Sequence, residues 1–177
     1  MLPNRVLAVG NAREDAGFEH FSNRLYDKDK SKMTAFNFTT SLEVRYSDLD
    51  AQGHLNHARY LSFMEQARFK YMMAAGLWTD IHDFDAVGQI VAEAACSYKR
   101  PVLLDQVVEV AVRISRLGNK SLEMEYRLTV DGVEAATGRT VQVAYDYAAG
   151  QSIIIPQEWR EKIAAFEKVG KELGVIK

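Results

Sequence analysis

The strongest signal along this chain is a hydrophobic alternation that begins at Phe36. Phe36, Phe38, Thr40, Leu42, Val44 and Tyr46 alternate with Asn37, Thr39, Ser41, Glu43 and Arg45. A period of two sends successive side chains to opposite faces, so the segment reads as a half-buried strand. Four later segments repeat the pattern. Ile90, Ala92, Ala94, Cys96 and Tyr98 oppose Glu93, Ser97 and Lys99, and Val108, Val110, Val112 and Ile114 oppose Glu109, Arg113 and Ser115. Leu122, Met124, Tyr126, Leu128 and Val130 oppose Glu123, Glu125, Arg127 and Thr129, and Val141, Val143, Tyr145 and Tyr147 oppose Thr140, Gln142 and Asp146. One packed face and one wet face suit an antiparallel sheet. Gly118-Asn119 and Asp131-Gly132 fall between consecutive strands as hairpin turns, and Pro101 ends the second strand.

Between the first and second strands the period lengthens to about 3.6 residues. Tyr60, Leu61, Phe63, Met64, Ala67, Tyr71, Ala74 and Ala75 share one broad face of a helix running from near His57 to Ala75, with Arg59, Gln66 and Lys70 opposite. Asn56 is placed to cap this helix and Gly76 to stop it. A second helix is expected from about Pro156 to Glu172, with Gly174 beyond it. A long helix and an antiparallel sheet, each with one apolar face, cover each other most simply when the sheet wraps the helix. The predicted class is therefore α+β, with an antiparallel five-stranded sheet wrapped around one long central helix. That arrangement is called the hotdog fold.

Residues 1–35 show no sustained period, and "NAREDAGFEHFSNRLYDKDKSK" mixes charges of both signs. They are expected to form an N-terminal extension, flexible or loosely docked, ahead of a domain spanning 36–177 with its C-terminal helix from about 156. Of the 177 residues, 47% are apolar, enough for one core. The net charge of −2 gives no reason to expect nucleic acid. Cys96 is the single cysteine, so an internal disulfide is excluded and a reducing compartment fits. The first residues lack the basic-then-apolar pattern of a signal peptide, and no segment approaches the roughly 20 apolar residues of a membrane span. A soluble cytoplasmic protein, without membrane association, is the expectation.

Candidate chemistry concentrates in Ser47–Tyr60, "SDLDAQGHLNHARY". Asp48, Asp50 and Gly53 fit the start of a calcium loop. The position that should carry a bidentate glutamate is Arg59, a cation where the ion needs an anion, and a strand rather than a helix precedes the loop. His54 and His57 stand three apart, as some zinc ligands do, but no cysteine or H-E-x-x-H motif joins them. No metal site is expected. A catalytic turn fits better. A carboxylate at a strand end stands just ahead of a helix N-terminus, whose unpaired N–H groups and partial positive charge suit a developing oxyanion. That is an acyl-transfer site in outline.

The segment "VRYSDLDAQGHLNHARYLSFMEQAR" resembles the signature of the 4-hydroxybenzoyl-CoA thioesterase-like family of hotdog proteins. That pattern runs tyrosine, D-x-D, two residues, Gly-His-hydrophobic-Asn, then Tyr-Leu and a Glu-x-x-Arg step on the helix. The segment is also similar to the D-L-D-x-x-x-H-V-N stretch of plant acyl-carrier-protein thioesterases. "YKRPVLLDQVVEV" resembles the family's second strand, turn and third strand, and the likeness covers roughly residues 38–160. The resemblance implies an acyl-CoA thioesterase that needs no cofactor, because coenzyme A leaves as a good thiol leaving group. It places Asp50 on the family's catalytic carboxylate, and His54 and Asn56 on the supporting histidine and asparagine. His57 falls where the backbone N–H points at the thioester carbonyl. The family often has asparagine or tyrosine there, so this pocket is shaped differently.

Other residues have plainer readings. Asp48 closes the turn. Glu65, eight residues past His57, pairs with Arg68. Cys96 is a small buried hydrophobe on its strand. Lys99, Arg100 and Arg139 are candidate contacts for the phosphates of coenzyme A. The exposed sheet edges of one protomer call for pairing, so a homodimer or homotetramer is expected. Two other readings stand beside the hydrolase: a non-catalytic acyl-CoA or acyl-carrier binding module, and a hotdog dehydratase. The dehydratase wants a His–acid pair, which the D-L-D turn fits less well. A binder needs no nucleophile, so Asp50, His54 and Asn56 favour the enzyme.

Overall fold

The computed structural model describes residues 36–78 and 87–172, with the side chains of 168–172 left aside. The expected extension over residues 1–35 lies outside the described residues. In chain order the elements are β1 (Phe38–Glu43), a 3₁₀ turn (Tyr46–Asp48), α1 (His57–Ala74), β2 (Val87–Tyr98), β3 (Val107–Leu117), β4 (Ser121–Val130), β5 (Val133–Asp146), β6 (Gln151–Ser152) and α2 (Gln157–Glu172). The sheet order is β1-β3-β4-β5-β2, antiparallel throughout, and the two-residue β6 adds to β5. The hotdog arrangement holds, with a short sixth strand beyond the five expected. At the β4–β5 turn Asp131 and Gly132 both have positive φ, 52° and 74°, the geometry a two-residue hairpin requires.

The core forms where the two periods meet. Tyr60, Phe63, Met64, Ala67, Tyr71 and Met72 of α1 are buried against Val108, Val110 and Val112 of β3 and the inward row Leu122–Val130 of β4. Gly138 of β5 allows the helix its closest approach, since a Cβ there would stand 2.5 Å from Met64 Sδ. Gly138→Val is therefore expected to destabilise the fold by about 1–3 kcal/mol through overpacking. An unchanged urea midpoint would contradict that packing.

Three details differ from the pattern-based expectation. First, β5 buries Thr140, Gln142 and Ala144, not Val141, Val143 and Tyr145. The reason is register. Thr140 pairs with Met124 and Gln142 with Leu122, both on the inward row of β4, and cross-strand partners share a face. Second, the apolar row of β2 is largely uncovered, with Ile90 40% and Tyr98 46% exposed. β2 is an edge strand, bulged between Val91 and Glu93. Third, α1 is rotated slightly from its expected orientation. Leu61 and Ala74 face out, whereas Arg68 and Met72 are buried.

α2 closes the far side of the core with Trp159 and Ile163. Phe166 meets Tyr71 edge-on at 5.1 Å. Glu167 Oε1 accepts from the Tyr71 hydroxyl at 2.6 Å and from the Ile114 N–H at 2.8 Å. Ile114 flanks an irregularity in the β3–β4 pairing, and Glu167 satisfies its donor. Among the described residues no helix is long and apolar enough to cross a membrane.

Candidate active site

The chain leaves β1 through the 3₁₀ turn and enters α1 through the loop Asp50–Asn56. Asp48 is the anchor of this passage. It is 1% exposed, and its Oδ2 accepts from the Arg45 N–H at 3.0 Å and from Arg45 Nε at 3.1 Å. Arg59 Nε stands 3.7 Å from its Oδ1. The Arg45 guanidinium beside it holds the Asp48 carboxyl below the usual carboxylate range. Arg59, the cation that argued against a calcium loop, thus ties the first turn of α1 to the strand end. Asp48 also closes the turn as expected, because its carbonyl accepts from the Asn56 N–H at 2.9 Å.

Asp50 is half-buried. Its Oδ1 accepts from the N–H of Gln52 at 2.9 Å and of His54 at 3.1 Å. Its own N–H donates to the His54 carbonyl at 2.8 Å. Gly53, at φ +79°, supplies the left-handed residue this tight loop needs. Two backbone donors therefore fix one carboxylate oxygen, and no donor among the described residues bonds to Oδ2. His54 meets Asp50 through its backbone. An isolated bridge to Leu103 further pins His54.

Asn56 caps α1 as expected, its Oδ1 accepting from the Ala58 N–H at 2.9 Å. This leaves the His57 N–H, at the first helical position, with no acceptor among the described residues. The His57 side chain is exposed, so the backbone group is the one held in place. Tyr98 marks the same point from the sheet: its hydroxyl donates to the His57 carbonyl at 3.1 Å, and its ring meets Tyr60 edge-on at 5.0 Å. Burial pushes the Tyr60 hydroxyl up to about 12, with Cys96, Tyr98 and Asp50 adding to the rise. Cys96 is half-buried, and burial likewise pushes its thiol up to about 11, the opposite of a thiolate nucleophile. The alternation of β2 singled out Cys96 and Tyr98, but nothing in it showed that they would stand beside the helix N-terminus.

The remaining candidates are spread out. Arg100 donates to the carbonyls of Val130, at 2.5 Å, and Val133, at 2.8 Å, gripping the β4–β5 hairpin. Lys99 pairs with Glu134 beside it. Arg139 bridges Glu93 at 2.6 Å and Glu123 at 2.8 Å across the sheet. Glu65 is exposed and 3.4 Å from Arg68, as expected for an i,i+3 pair. Beside Asp48 an open groove of about 400 Å³ is lined by Arg45, Arg59, Ser62, Phe63, Gln66 and Phe69, among others. It does not include Asp50 or His57. Among the described residues no cluster of three or more His, Cys, Asp or Glu is placed to hold a metal ion.

This geometry has counterparts. A family model described as the thioesterase-like superfamily matches residues 44–163. The long-chain acyl-CoA thioesterase FadM of Escherichia coli (strain K12) is 27% identical over 133 residues, covering 73% of this chain and 98% of that protein. A crystal structure of a thioesterase complexed with coenzyme A and Zn, from Thermus thermophilus, is 36% identical with a TM-score of 0.68, covering 77% of this chain and 98% of its own. The PA5185 protein of Pseudomonas aeruginosa strain PAO1 is 34% identical with a TM-score of 0.66, covering 73% of this chain and 90% of its own. Since the family model spans the carboxylate turn, all of α1 and every strand after it, this chain belongs to the thioesterase-like superfamily.

Proposed function

We propose that this protein hydrolyses acyl-CoA thioesters, with Asp50 as the catalytic carboxylate and the His57 N–H as the oxyanion donor. The observation that carries the reading is the pairing at the start of α1. A carboxylate is fixed by two turn amides through one oxygen only, ahead of a helix whose second N–H is capped and whose first is free. The thioester carbonyl accepts from the His57 N–H, which lies at the positive end of the helix dipole. Negative charge building on that oxygen is then stabilised where it forms, an effect of about 3 kcal/mol for one such donor. Asp50 takes a proton from water as the water oxygen bonds to the carbonyl carbon, or bonds to that carbon itself. In the first case the C–S bond breaks and coenzyme A departs as its thiol with the proton taken from water. In the second it departs as the thiolate, which solvent protonates, and water then hydrolyses the acyl–Asp50 anhydride to the free acid and the carboxylate. His54 and Asn56 hold the loop and the cap in place. The FadM relationship and the coenzyme A complex of the Thermus relative support the substrate class.

For the phosphates of coenzyme A, Lys99 and Arg100 are the favoured contacts, at the end of β2 that carries Tyr98. Arg139 would have to release two carboxylates first. A cytoplasmic location belongs to the same reading and rests on the lone cysteine.

The protomer is incomplete at β2. This edge strand is twelve residues long and bears exposed Ile90 and Val91. A long apolar edge of this kind is normally paired, so a second copy covers it, giving a homodimer or a dimer of dimers. Light scattering at micromolar concentration is expected to show at least a dimer, and a stable monomer would overturn this assembly.

The functional test is thiol release from a panel of acyl-CoA substrates by the full chain. Release that requires Asp50 supports the hydrolase. Tight binding of acyl-CoA without release would make the protein a carrier or sensor on the same fold.

A further inference from the structure

Under α1 the apolar core is interrupted by a polar cluster. Arg68, Tyr126, Thr140 and Gln142 are 9%, 1%, 3% and 0% exposed. The Tyr126 hydroxyl and Thr140 Oγ1 lie 2.9 Å apart, and Gln142 Nε2 donates to the same Oγ1 at 2.5 Å. Burial raises the Tyr126 pKa, and Thr140, Arg68 and Gln142 each act on its hydroxyl to lower it, so Arg68 belongs to the cluster. One member lacks a partner and another has a distant one. Gln142 Oε1 is buried with no hydrogen-bond partner. The ion-pair partner of Arg68, Glu65, is 3.4 Å away with its side chain 71% exposed. A buried polar atom without a partner costs about 1–3 kcal/mol. Three of the four buried polar or charged residues among those described lie here, and the fourth is Asp48.

The position of this cluster relative to the catalytic turn can be measured twice. Arg68 is eleven residues past His57, about 16 Å along the helix axis. On the sheet, Tyr98 touches His57 and lies four residues from Ala94, the cross-strand partner of Thr140, which is about 13 Å. Along this span two apolar residues are exposed, with the Glu65 carboxylate between Leu61 and Arg68 on α1. Leu61, one heptad before Arg68 on the same side of α1, is 40% exposed, and Ala94 of β2 is exposed.

We propose that the cluster reads a hydroxyl group at the far end of a long acyl chain, so that the preferred substrates are ω-hydroxyacyl-CoA thioesters. This rests on the thioesterase reading above and names its substrate class. The span of about 13–16 Å is that of an extended chain of roughly a dozen carbons, far beyond a small aromatic acyl group. A hydroxyl accepts from the Arg68 guanidinium and donates to Gln142 Oε1, filling the one open acceptor. A carboxylate cannot donate, and Glu65 already neutralises Arg68. A methyl terminus would leave Gln142 Oε1 unpaired, the situation in which a polar site discriminates most strongly.

The test compares thiol release from dodecanoyl-CoA, ω-hydroxydodecanoyl-CoA and the mono-CoA thioester of dodecanedioic acid by the wild-type full chain. The hydroxyl substrate is expected to exceed dodecanoyl-CoA in kcat/KM by about tenfold, with the carboxylate substrate below both. In Gln142→Met and Thr140→Val the hydroxyl-to-alkyl ratio is expected to fall toward one, whichever way the absolute rates move. Equal wild-type rates, a ratio unmoved in folded variants, or a preferred carboxylate tail would each overturn the proposal. Calorimetric binding of free ω-hydroxydodecanoate and dodecanoate gives a readout independent of turnover. If no acyl-CoA yields thiol, the hydrolase reading fails, and the two acids still decide the cluster: tighter binding of the hydroxy acid supports it and equal affinity refutes it.

Discussion

Asp50→Asn is expected to lower kcat/KM for acyl-CoA hydrolysis by about 10²–10⁴-fold while the fold survives. The structure makes this substitution unusually clean. Asp50 holds its loop through Oδ1, which accepts from the N–H groups of Gln52 and His54. An asparagine carbonyl can accept the same two bonds, so the loop and the entry into α1 stay in place. What the substitution removes is the negative charge, and with it the capacity to attack the thioester carbon or take a proton from water. The expected pattern is therefore a fall in kcat with a smaller change in KM. Its thermal unfolding should match the wild type. Near-normal turnover by Asp50→Asn across several acyl-CoA substrates would remove Asp50 from the mechanism.

Asp48→Ala is expected to destabilise the fold by about 2 kcal/mol at neutral pH. The carboxylate is buried, and it joins the end of β1 to the first turn of α1 through Arg45 and Arg59. Its loss removes the bond to the Arg45 N–H and both ionic contacts, and Ala supplies nothing in return. The effect also carries a pH signature. Arg45 lowers the folded-state pKa of Asp48 below its unfolded value, so the folded state holds this proton more weakly than the unfolded state does. The contribution is complete above the unfolded pKa, about 3.9 for an aspartate, and disappears as pH falls through the lower folded value. Urea unfolding of wild type and Asp48→Ala should thus show a gap at pH 7 that narrows in acid below about pH 4. A gap independent of pH would mean that the carboxylate charge is not what stabilises the turn. The catalytic rate should fall as well, because Asp48 fixes the passage that carries Asp50.

The strand and helix assignments followed from side-chain period, and they held where one residue set was clearly apolar. The row Leu122, Met124, Tyr126, Leu128 and Val130 left no doubt about its face, and all five are buried. β5 failed the same test because both of its faces carry residues that can be buried. Val141 and Val143 look like core, yet their neighbours Thr140 and Gln142 are inside. The deciding fact was the partner strand, since the strong pattern of β4 fixes the face of β5 through register. β2 failed for another reason. Its apolar row lies on an edge strand that nothing among the described residues covers, so alternation alone overstated its burial. In the site, Asp50, Asn56 and the helix start were legible because turn and cap chemistry is local. Tyr98, Cys96 and Tyr60 were not, because β2 reaches the helix N-terminus only through the sheet order.

By itself the sequence determined the architecture and the position of the candidate catalytic turn. Period, caps and turn residues act over a few neighbours, and their signal survives without tertiary context. It also put a cation, Arg59, at the position where a calcium loop needs an anion. Only the tertiary structure showed how Asp48, expected to close the turn, is held, and that Asp50 keeps one oxygen without a donor among the described residues. Arg45 and Arg59 neutralise Asp48 in a buried pocket. Only the tertiary structure, too, turned Arg68, Thr140 and Gln142 inward. Burial of a polar residue depends on which distant strand it must match, and that register is a property of the assembled sheet.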